Sequence, residues 1–99
     1  MAKRRKFSAE PFGVAIERLM SESGTTYRAL AAKTELSAGY LNHLVHGNRP
    51  VPSNAVIDRL ADALEIEPDH FREYRMRVIS EQLLGRPELV DRLYRRLNI

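Results

Sequence analysis

Between Gly24 and Gly47 the chain has room for two helices of about two turns each, and this stretch most constrains the fold. Thr26 and Ser37 are of the type that caps helix N-termini, because a side-chain oxygen can accept from an orphan backbone N–H. Each precedes a short apolar pattern. Leu30 and Ala31 follow the first, and Leu41, Leu44 and Val45 follow the second. The first helix ends near Thr34, and Gly47 stops the second. Helices this short are marginal alone in water, so they must brace each other across a tight turn. Leu30 and Leu41 are placed to pin them together. Ala31 is small where they approach, Leu36 plugs the turn and Leu44 closes the far end.

The flanking sequence reads as helix throughout. Phe12, Ile16, Leu19 and Met20 recur at helical spacing over about 10–22, with Pro11 acceptable in a first turn and Gly24 as a stop. Two prolines make Asn48 to Pro52 a loop. Ser53 caps a fourth helix with Val56, Ile57, Leu60, Ala61 and Leu64 on one stripe. Pro68 opens a fifth, running to about Leu84, with Phe71, Tyr74, Val78 and Ile79 as expected buried positions. Gly85 breaks it, and Pro87 opens a last helix with Leu89, Val90, Leu93, Tyr94 and Leu97 on one side. No segment alternates apolar and polar residues, so no sheet is expected. The fold class is all-α.

Ninety-nine residues suit one domain with a modest core. The chain has no cysteine, which excludes disulfides and thiolate chemistry. No apolar run approaches the length that spans a bilayer, and no signal-peptide pattern follows the basic N-terminus. A cytoplasmic location and no membrane partner are expected. Residues 1–50 carry eight basic and four acidic side chains, and residues 51–99 carry eight and nine. A basic first half fits a polyanionic partner or ordinary surface charge. Residues 1–8, with Lys3, Arg4, Arg5 and Lys6, read as a flexible basic arm.

The stretch TYRALAAKTELSAGYLNHLVHG resembles the phage repressor and Cro-like (XRE-type) helix-turn-helix family. Leu30-Ala31, Leu36-Ser37, Leu41-Asn42 and Gly47 stand where that family has its small, turn, apolar and terminal residues. VPSNAVIDRLADALEIEPDHF is similar to its fourth helix and the start of its fifth. The resemblance implies a five-helix lambda-repressor-like domain over 9–75, its helix-turn-helix at 27–46, and a C-terminal helical extension at 76–99. It further implies a DNA-binding transcriptional regulator of bacterial or phage type, nucleoid-associated when bound. Two positions depart from the family. Glu35 stands where glycine is usual at a left-handed turn residue, and Tyr27 stands where glutamine often contacts phosphate.

In that arrangement the second helix enters the major groove of double-stranded DNA. The outward positions Ser37, Ala38, Gly39, Asn42 and His43 are the expected base readers. Asn42 can pair its amide with adenine N6 and N7, or it can contact phosphate. Tyr27, Arg28, Lys33, Tyr40, Asn48 and Arg49 are the expected backbone-binding residues. Tyr27 can instead pack over the second helix, and Tyr40 against the following loop. The basic arm can follow the backbone or enter the minor groove, or remain a solubilising tail. His43 and His46 lack a third ligand nearby, so no metal is expected. No cofactor is implied. Asp69-His70 and Ser37 with His43 form no recognisable nucleophile–base set, so an enzyme is not expected.

One short reading helix meets few base pairs, so a dimer on a palindromic operator is expected, acting as a repressor. Residues 76–99 would either dimerise or fold back to complete the monomer core. The competing reading is an antitoxin-like regulator that binds a protein partner through residues 68–99.

Overall fold

The computed structural model describes residues 7–98. Six helices and one 3-10 turn follow in order: α1 Phe12–Ser23, α2 Tyr27–Thr34, α3 Ala38–Val45, α4 Asn54–Ala63, the 3-10 turn Pro68–His70, α5 Arg72–Leu84 and α6 Pro87–Leu97. No β-strand occurs among the described residues. The fold is all-α, as the sequence pattern implies. The cluster Lys3 to Lys6 lies outside the described residues.

Local chemistry starts three of the helices. The Thr26 hydroxyl accepts from Ala29 N at 3.1 Å, Ser37 from Tyr40 N at 3.0 Å and Ser53 from Val56 N at 3.4 Å. Each such cap contributes about 1 kcal/mol relative to alanine. At α1 Pro11 offers no capping side chain. Glu73 of α5 supplies the acceptor from a distance, its Oε2 3.1 Å from Phe12 N. Glu10 and Arg18 add an exposed bidentate pair that ties the entry segment to α1. The hydrogen bond from Arg18 holds the Glu10 carboxyl below its ordinary range.

The core lies where α1 to α4 converge. Leu30, Ile57, Leu60 and Phe71 have no accessible surface, and burying each contributes about 1.5–3 kcal/mol. α1 and α3 approach so closely that a Cβ on Gly13 would stand 2.6 Å from the carbonyl oxygens of Leu44 and Val45. Thr34, buried at the end of α2, donates to Leu30 O at 2.8 Å and accepts from Leu36 N at 3.3 Å.

The expectation of one continuous helix from Pro68 is corrected. Phe71 adopts extended backbone, φ −85° and ψ 129°, between the 3-10 turn and α5. Its ring sinks into the core against Phe12, centroids 4.9 Å apart, and this pulls the chain out of helical geometry. Val78 and Ile79, expected inside, are 39% and 56% exposed. They line an open groove with Phe7, Tyr74 and Arg75, which nothing among the described residues covers. α6 packs on α5, its Leu89 and Leu93 are half-buried, and none of its residues is buried. The molecule is accordingly elongated, 47 × 28 × 20 Å, with a radius of gyration of 15.5 Å against about 13 Å for a compact chain of this length.

Candidate nucleic-acid interface

The inner face of α3 is committed to packing. Leu41, Leu44 and Val45 are buried against α1 and α2. With 3.6 residues per turn, the opposite face carries Gly39, Asn42 and His43, while Ala38 lies nearer the packed side in the first turn. All four are exposed, as is the cap Ser37. The face expected to read bases is thus uncovered. Tyr40 points differently. It is half-buried and packs against the core cluster, which leaves only part of the side chain for a contact outside. Tyr27 is also half-buried on the core at the start of α2.

Arg28, Lys33, Asn48 and Arg49 are exposed. Arg28 and Lys33 sit on α2, and Asn48 and Arg49 on the loop after α3. Among the described residues, the side chains of these four and of Asn42 and His43 engage no hydrogen bond or ion pair. Their donors are free for an outside acceptor. The His46 ring is engaged, its Nδ1 donating to Asn42 O at 2.8 Å at the end of α3.

Arg59 and Arg77 brace the elements on either side of α3, Arg75 ties the entry segment to the 3-10 turn, and local sequence carried no signal for any of them. Arg59 of α4 donates to the carbonyl of Thr34, which closes the end of α2 beside the turn. Arg77 of α5 clamps the loop after α3, donating to Val51 O at 3.0 Å, to Asn54 Oδ1 at 3.2 Å and to Pro52 O. Arg75 donates to Ser8 O, Asp69 O and His70 O at 2.8–2.9 Å, with its guanidinium 4.4 Å above the Phe7 ring. Most of these partners are backbone oxygens, and those of Arg59 and Arg77 together with Ser8 O lie more than twenty residues away, so residue type alone could not reveal them.

The turn itself has the backbone that the sequence suggested. Glu35 adopts φ 62° and ψ 23°, the left-handed region, and its N–H donates to Ala31 O at 2.9 Å. Gly47 adopts φ 73° after α3. Asn48 N returns to His43 O at 2.8 Å and Gly47 N to Leu44 O at 3.2 Å, which satisfies the end of the helix.

Two braced short helices, the second with a free outer face, define a helix-turn-helix module of the kind used by DNA-binding regulators. The chain belongs to the helix-turn-helix domain family, whose model matches residues 11–74. Neither a curated protein nor a solved structure matches it. Among the described residues, no helix is long and apolar enough to cross a membrane.

Proposed function

We propose that this protein is a sequence-specific transcriptional repressor that binds a palindromic operator in duplex DNA as a dimer. The observation that carries the reading is the uncovered outer face of α3, together with exposed cationic and amide side chains on α2 and on the loop after α3 that make no bonds among the described residues. Ser37, Ala38, Gly39, Asn42 and His43 face base edges in the major groove. Asn42 presents its amide to adenine. Arg28, Lys33, Asn48 and Arg49 hold the sugar-phosphate backbone, joined by the outer parts of Tyr27 and Tyr40. These contacts set register and orientation. Arg77 keeps the loop bearing Asn48 and Arg49 in one conformation. Binding alone represses by occupying a promoter in the bacterial cytoplasm, and no catalytic step is required.

In a dimer the two reading helices sit about 34 Å apart on one face of the duplex. The exposed apolar residues Leu84, Val90, Tyr94 and Leu97 of the α5–α6 hairpin support a covering subunit there. The same surface favours one second reading, in which a different protein covers the hairpin and regulates the DNA-binding domain.

Selection on random duplex DNA, followed by the mass of the complex in solution, tests both parts. Enrichment of an inverted repeat, with two chains per duplex, is expected. No enrichment of any sequence would defeat the DNA reading. An enriched single half-site bound by one chain would defeat the dimer alone.

A further inference from the structure

We infer that Gly39 is a specificity-determining residue whose missing side chain makes room for a thymine methyl in the operator. This rests on the DNA-reading role of α3 proposed above. Three of the other glycines have structural reasons to be glycine, and the fourth, Gly85 (φ −90°), stands past the end of a helix, where alanine has no helix-interior advantage. Gly24 and Gly47 take positive φ, and Gly13 has no space for a Cβ between α1 and α3. Gly39 has none of these. It lies within α3 on helical backbone, its φ is not positive, and a Cβ there would meet nothing within 4 Å. Alanine favours a helix more than glycine does, so the fold by itself would be better served by a side chain.

The space is not neutral surface. Residues three and four apart are neighbours on a helix, so a Cβ on Gly39 would stand beside Asn42 and His43 on the exposed reading face. Ala38, next to it, is also small and exposed. A residue without a side chain offers only C–H and lets the other surface come one atom closer. Among base edges in the major groove, the apolar group that projects is the C5-methyl of thymine. The complementarity is therefore a hollow at Gly39 against a methyl on the duplex.

The test uses the full chain, the duplex selected by the wild-type protein, and Gly39→Ala. The variant should melt about 3 °C or more above wild type. It should bind the selected duplex about tenfold or more weakly. Replacing one thymine per half-site by deoxyuridine removes only the methyl. At one thymine position this should restore most of the variant's affinity while weakening wild type. Gly39→Ser should show the same partial rescue. A melting temperature below wild type would show that the fold needs Gly39 and would overturn the inference. So would unchanged affinity of Gly39→Ala, or a loss that deoxyuridine rescues at no position. If the wild-type chain selects no sequence, the DNA reading fails, and this inference with it.

Discussion

Replacing Glu35 by glycine should make the protein more stable, although Glu35 lies in the turn on which the site depends. Its backbone is left-handed, φ 62° and ψ 23°. There a Cβ crowds the neighbouring carbonyl at a cost of about 1–2 kcal/mol. The side chain is exposed and, among the described residues, forms no bond that would offset this. Glycine removes the crowding but adds about 0.4–1 kcal/mol of unfolded-state entropy. The difference is a gain of about 0.5–1 kcal/mol. For a domain of this size, 1 kcal/mol moves the midpoint by about 4–8 °C, so Glu35→Gly should raise Tm by about 2–8 °C. The N–H bond to Ala31 O belongs to the main chain and is retained. Circular dichroism at the helix band during heating measures this, with urea midpoints at unchanged m as a check. Gly24 provides the reverse experiment. It has φ 67° and open space around a Cβ, so Gly24→Ala should lose stability for conformational reasons alone. A Tm for Glu35→Gly at or below wild type would refute the reasoning.

Gly13→Ala should cost about 1–3 kcal/mol in urea unfolding, because the neighbours at 2.6 Å are backbone oxygens that cannot step aside. Arg77→Ala removes donors to Val51 O, Pro52 O and Asn54 Oδ1 and should lower stability by about 1–3 kcal/mol. Faster amide exchange at residues 48–54 would locate that loss in the loop. Arg49→Ala should leave Tm unchanged while weakening binding to specific and random duplexes alike. It should also reduce the slope of log affinity against log salt by about 1. A loss confined to one sequence would make Arg49 a base reader.

What the sequence made legible was local. Thr26, Ser37 and Ser53 act on amides three residues ahead, so their capping roles depend on spacing alone. The exposed face of α3 followed from helical period once Leu41 and Leu44 were taken as buried. The start of α5 was not legible, because Phe71 leaves helical geometry to reach Phe12, a partner from the other end of the domain. Val78 and Ile79 read as buried because periodicity reports which face is apolar, not whether anything covers it. The arginines failed in a similar way. Arg59, Arg75 and Arg77 resemble Arg28 and Arg49 in sequence, yet their guanidinium groups are spent on carbonyls of Thr34, Ser8 and Val51. Gly13 and Gly39 are both helical glycines, and only the packing separates one that the fold requires from one that it does not.

Amide chemical shifts of the labelled chain, followed as the selected duplex is added, test the central claim most directly. The amides of residues 37–43 and of Asn48 and Arg49 should move most, with the inner helix α4 nearly still. Shifts confined to α5 and α6, with α3 silent, would contradict the account and move the interface to the hairpin.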